Sequence, residues 1–176
     1  MKFRHTLITA CVAVAAMAAP RAAHAQTPIR FSGAVGLGLP IGDLGNAADL
    51  GYGLAFRGEG KLSNPEWGLR GDITWDRFPG RAPVDAYSYV ALAGNFVHRM
   101  PGESLYEFAG LGLYNNSISF NGGGASISDT NLGLQMGLGL DLAKGPHTPF
   151  VEFGLTSVFT SGSNTLWFPV RFGIRF

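Results

Sequence analysis

LWFPVRFGIRF, the run from Leu166 to Phe176, decides the fold. Leu166, Phe168, Val170, Phe172, Ile174 and Phe176 share one face of an extended chain; Trp167, Pro169, Arg171, Gly173 and Arg175 share the other. Successive side chains of a strand point to opposite faces, so this is a strand with one apolar side. In a soluble protein such a strand would leave an apolar edge open to unwanted pairing. A membrane β-barrel gives both faces a place. One meets lipid, the other a polar interior, and closure removes the edge.

Working back along the chain, alternating runs recur between turn signals. They span Ile29–Leu39, Gly51–Leu62, Trp67–Arg77, Tyr87–His98, Leu105–Tyr114, Asn131–Leu142, Phe150–Thr160 and Leu166–Phe176. Strands of about 10 residues, tilted by roughly 40°, cross an apolar band about 25 Å tall. The expected fold is all-β, an eight-stranded antiparallel up-and-down transmembrane β-barrel. Three joints are tight, at Ser63–Glu66, Arg99–Ser104 and Ala143–Pro149. On the opposite side lie Pro40–Leu50, Phe78–Ala86, Asn115–Thr130 and Ser161–Thr165. Asn115–Thr130 is rich in Asn, Gly and Ser and reads as a mobile loop. Short turns belong in the periplasm, which places both termini there.

Strand six sorts its faces most clearly. Leu132, Leu134, Met136, Leu138, Leu140 and Leu142 oppose Asn131, Gly133, Gln135, Gly137, Gly139 and Asp141. A soluble sandwich would alternate as well, but its glycines would lie on the solvent face without reason. In a narrow barrel, inward glycines make room for long side chains opposite. Tyr52, Trp67, Trp75, Tyr87, Tyr106 and Tyr114 stand near strand ends, where interfacial aromatic girdles belong. Strand five is irregular: with Glu107 inward, Leu111 and Leu113 point inward too, unless a β-bulge intervenes. Pro169 lacks a ladder donor and is expected at a local break toward the outer end of strand eight.

The inward charges balance, with Arg30, Arg57, Lys61, Arg70, Arg171 and Arg175 against Glu59, Asp72, Asp76, Glu107, Asp141 and Glu152. An eight-stranded barrel is only wide enough for side chains to fill. Buried charges persist when paired. These residues therefore read as an ion-pair network closing the lumen.

Lys2 and Arg4 precede an apolar run, Leu7 to Ala19, and Ala23-His24-Ala25 supplies a small-x-small cleavage pattern. Residues 1–25 read as a signal peptide and 26–176 as the barrel domain. The run is shorter than the roughly 20 residues needed to span a membrane. Ile8-Thr9-Ala10-Cys11 resembles a lipoprotein acylation box, but cleavage there would use only half the apolar run. After cleavage at Ala25 no cysteine remains, so disulfide and thiol chemistry are excluded. Ten basic against twelve acidic residues then give no basic field of the kind nucleic-acid binders use.

From Ile29 to Phe176 the chain resembles the small eight-stranded outer-membrane β-barrels, the superfamily that includes OmpA and OmpX. The ending Val170-Arg-Phe-Gly-Ile-Arg-Phe176 is similar to the terminal signal read by the barrel-insertion machinery, carried by Val170, Phe172, Ile174 and Phe176. Pro40–Gly45 and Ala109–Gly112 are weaker likenesses. The resemblance implies outer-membrane localisation, a lipid environment and insertion-machinery contact. Cell-wall tethering is not implied, since no peptidoglycan-binding domain follows the barrel.

Role is less legible than fold. The leading expectation is a structural or surface-interaction barrel, with Asn115–Thr130 as the contact surface for an extracellular ligand. The alternatives are a narrow pore for small solutes and a lipid A-modifying enzyme. Only His98 and His147 follow the leader, and neither has a triad context. With two histidines and no cysteine, no metal or cofactor is expected, and the chain reads as a non-enzyme.

Overall fold

The computed structural model describes residues 29–122, 126–160 and 163–176; the expected signal peptide lies outside them. Eight antiparallel strands close in chain order: β1 (Arg30–Ile41), β2 (Gly51–Lys61), β3 (Trp67–Pro79), β4 (Val84–Arg99), β5 (Leu105–Phe120), β6 (Ile127–Asp141), β7 (Thr148–Thr160) and β8 (Ser163–Arg175). The seam pairs β1 with β8 from Ser32↔Arg175 to Ile41↔Leu166. Just past it, Phe31 and Phe176 exchange backbone hydrogen bonds of 3.1 and 2.8 Å. The barrel wall thus has no open seam, as a hydrocarbon environment requires.

The faces are inverted relative to a soluble protein. Leu132, Met136 and Leu138 are about half exposed, whereas Arg57, Arg70, Asp72, Asp76, Glu152 and Arg175 are at most 4% exposed. Inward glycines leave slots for rings. A Cβ at Gly139 would collide with Tyr106, and one at Gly173 with Phe150. Gly38 and Gly51 likewise flank the ring of Phe78.

Three expectations need correction. Asn115–Thr130 is mostly strand, because β5 and β6 stay paired from Asn115↔Thr130 to Ile118↔Ile127. Polar cross-strand bonds hold this extension: Asn115 Nδ2 donates to Thr130 Oγ1 at 3.0 Å and Asn131 Nδ2 to Asn116 Oδ1 at 3.0 Å. The apolar alternation stops there, but the backbone ladder does not. Strand five needs no bulge. Glu107 faces outward, so Leu111 and Leu113 face lipid and Tyr106 and Tyr114 are buried in the lumen. Of the expected girdle, Tyr52, Trp67 and Trp75 are on the outer face, while Tyr87 is half-buried against the interior cluster.

Pro169 lies mid-strand. The β7–β8 ladder runs to Phe153↔Val170 and resumes in the same register at Thr156↔Trp167, a local break without a bulge. After β1, Gly42 adopts φ +59°, and the short helix α1 (Gly42–Ala47) folds across the barrel mouth. Its Leu44 is buried among Ala48, Phe78, Tyr89, Val158 and Trp167.

Candidate functional site

The lumen is filled in tiers, beginning at the end with the tight turns. There Arg99 Nη2 bonds Glu59 Oε1 at 2.9 Å and Arg99 Nη1 bonds Asp141 Oδ2 at 3.2 Å. Arg175 Nη1 reaches Asp141 Oδ1 at 2.6 Å. Both guanidinium groups lie over the Tyr106 ring, at 4.5 and 5.3 Å from its centre. Such contacts suit arginine, whose planar group stacks as well as donates.

Glu152 is the hub of the middle tier. It accepts from Arg70 Nη1 at 2.9 Å and from Tyr106 OH at 2.7 Å, and Arg57 Nη2 forms an ion pair with it at 2.8 Å. Arg70 also forks onto Asp72 with bonds of 2.9 and 3.0 Å. A neutral bridge continues the tier. Gln135 Nε2 donates to Asp72 Oδ2 and Asn95 Oδ1, and Tyr114 OH donates to Gln135 Oε1. Above it, Arg171 Nη2 bonds both oxygens of Asp76 at 2.8 and 2.7 Å, while its Nη1 reaches Leu54 O at 3.1 Å.

At the opposite end the charges give way to rings. Trp167 packs edge-on against Phe78 and Tyr114 and lies 5.0 Å from Tyr89, centre to centre. Between the tiers lies a cavity of about 20 Å³, bounded by Arg57, Arg70, Asp72, Gln135, Glu152 and Arg171 among others. That is room for a single water molecule. The side chains Asn95 Nδ2 and Trp167 Nε1 are buried without a hydrogen-bond partner.

Three expected members stand apart from this network. Glu107 is on the outer wall, bonded to His98 Nδ1 at 3.0 Å. Arg30 is exposed at the rim, where Nη2 donates to Gly145 O at 3.1 Å. Lys61 is exposed at the end of β2 and has no ion pair among the described residues. Arg99 takes a place that sequence reading assigned to a turn. Its parity is the missed signal: it continues the inward series of Ala91, Ala93, Asn95 and Val97. Five arginines (57, 70, 99, 171 and 175) then face five carboxylates (59, 72, 76, 141 and 152).

Residues 9–176 match the model of the outer membrane protein beta-barrel domain. No individual curated relative matches the chain in sequence. Among solved structures, Neisserial surface protein A is 14% identical with a TM-score of 0.60, over 84% of this chain and 95% of that one. Yersinia pestis Ail, in complex with the heparin analogue sucrose octasulfate, is 18% identical with a TM-score of 0.56, over 84% and 99%. The N-terminal barrel domain of Pseudomonas aeruginosa OprF is 14% identical with a TM-score of 0.54, over 84% and 97%. At such identities the likeness concerns the fold.

Proposed function

Because the chain belongs to the outer membrane protein beta-barrel domain family, we propose that it is a closed outer-membrane barrel that carries no solute and presents a contact surface outside the cell. The observation that supports closure is the set of buried ion pairs crossing the lumen, with a cavity of only about 20 Å³ among them, where a porin keeps an aqueous channel. The tight turns lie in the periplasm. Val170, Phe172, Ile174 and Phe176 form the apolar row that the insertion machinery reads, after residues 1–25 have directed export. His98 stands with Glu107 and the Trp67 ring in a groove whose described lining includes no serine, threonine or cysteine to act as a nucleophile, which supports a non-enzymatic role. The purified protein in planar bilayers should give no steady single-channel current; a sustained one would refute closure.

The contact surface is the sheet formed by the outer ends of β4, β5 and β6. Residues 127–132 of β6 have no second strand beside them among the described residues, because the β6–β7 ladder begins at Gly133↔Val158. An open edge is a template for an added strand. Asp129 guards it against self-pairing, with its Oδ1 accepting from Thr130 N–H at 2.8 Å. A sulfated ligand such as the one on Ail is disfavoured here. Asp43, Asp49, Asp85 and Asp129 outnumber Arg77 and Arg81, which are already paired to Asp85 and Asp49. Replacing residues 117–128 by an Asn-Gly turn should leave the barrel folded and remove the surface binding that cells gain by expressing the chain. Unchanged binding would sink this part of the reading.

A further inference from the structure

Glu107 and His98 pose a physical problem. Both point outward near the tight-turn end, beside Trp67, Phe96 and Leu138, which face lipid. An ionisable side chain on the lipid face of a barrel is destabilising unless it lies near the interface or has a partner. Their mutual bond uses His98 Nδ1 and Glu107 Oε1. Glu107 Oε2 has no hydrogen-bond or ion-pair partner among the described residues. The Trp67 ring lies 4.6 Å from the imidazole, centre to centre, and is itself 41% exposed.

Beside this pair runs a groove of about 420 Å³, within the usual size range of small-molecule sites, about 300–1,000 Å³. Its origin is a small residue in the cross-strand row. Ala109 sits between Phe96 and Met136, so the wall dips where its neighbours on either side stand proud. One end of the groove is apolar. The other offers a free carboxylate oxygen and an indole face, the combination that recognises a cation. A second copy of this chain fits less well, since the exposed strand cations at this end among the described residues, Arg30 and Lys61, share the lumen-facing parity of Arg57 and Glu59 and do not stand on the lipid face to meet Glu107.

We propose that the groove binds one glycerophospholipid of the periplasmic leaflet with a primary-ammonium headgroup. The ammonium bonds Glu107 Oε2 against the Trp67 ring, and an acyl chain lies over Ala109 between Phe96 and Met136. A primary ammonium can donate hydrogen bonds to the carboxylate, whereas a quaternary choline cannot. The leaflet follows from the orientation proposed above; the chemistry of the groove does not depend on it.

The test is native mass spectrometry of the barrel in mild detergent, with phosphatidylethanolamine, phosphatidylcholine and phosphatidylglycerol of matched chains. Phosphatidylethanolamine should be retained about tenfold more strongly than the other two, the size expected for one charge-assisted hydrogen bond. Glu107→Gln should abolish that preference while lipid of all three classes still binds weakly. Ala109→Phe should fill the groove and lower retention of all three. Unheated gel migration checks that each variant is folded. Equal retention of the three lipids by the native protein overturns the proposal, as does a preference for phosphatidylglycerol. So does an undiminished preference in Glu107→Gln, or a protein dimer that added phosphatidylethanolamine does not dissociate.

Discussion

Asp76→Asn isolates the upper tier of the lumen. Asp76 and Arg171 have side chains only 6% and 8% exposed and share two hydrogen bonds, at 2.7 and 2.8 Å. The substitution keeps the shape and one acceptor oxygen but removes the charge, leaving the Arg171 guanidinium with neutral acceptors only, the amide oxygen at position 76 and Leu54 O. Breaking one partner of a buried ion pair costs about 3–5 kcal/mol, most of it for the stranded charge. These two neutral acceptors hold the value to the lower end of that range, about 3 kcal/mol. The double variant Asp76→Leu with Arg171→Met removes both charges with similar volume and should be near neutral, because the desolvation of two ions is no longer paid. Equilibrium urea unfolding of the refolded barrel, followed by tryptophan fluorescence, measures both. A loss below about 1 kcal/mol for Asp76→Asn would mean that water reaches the pair. The picture of a closed lumen would then be wrong.

Other outcomes follow from neighbouring geometry. Gly139→Ala drives a methyl group into the Tyr106 ring and should destabilise by about 1–3 kcal/mol. Gly94→Ala points into open space and should stay within about 0.5 kcal/mol of the native value in the same urea titration. Trp167→Ala removes the fully buried ring that stoppers the mouth opposite the tight turns. It should cost about 3–5 kcal/mol without opening a conducting path, because the ionic tiers beneath remain; bilayer recording checks the second part. Phe176→Ala keeps both backbone bonds to Phe31 and should slow assembly by reconstituted insertion machinery far more than it lowers the unfolding midpoint, since the ring lies outside the packed lumen. Equal effects on both would count against its reading as a signal.

Alternation alone was enough to fix the number of strands, the lipid face and most of the lumen charges, because a side-chain period of two carries over directly into inside and outside. Leu132 to Leu142 and Arg171 with Arg175 stand where their parity puts them. Parity failed where the chemistry of one residue was allowed to override it. Glu107 reads as a lumen charge only if a carboxylate is assumed never to face outward, and that assumption turned all of β5 over. Arg99 was lost for a related reason, since an arginine two residues before a Pro-Gly pair looks like part of the turn.

The tertiary structure decided what a pattern along one strand cannot contain. Which guanidinium meets which carboxylate depends on side chains converging from strands far apart in sequence, as with Arg70 and Glu152, 82 residues apart. The extension of β5 and β6 to Ile118 and Ile127, beyond the apolar alternation, was hidden because hydrophobic patterning reports an apolar environment, whereas a polar ladder is held by its backbone bonds. The groove beside Glu107 exists only through the cross-strand placing of Phe96, Ala109 and Met136. The sequence therefore determined which face each residue takes, and closure of the barrel determined its neighbours, because contacts across a lumen join positions that no local period relates.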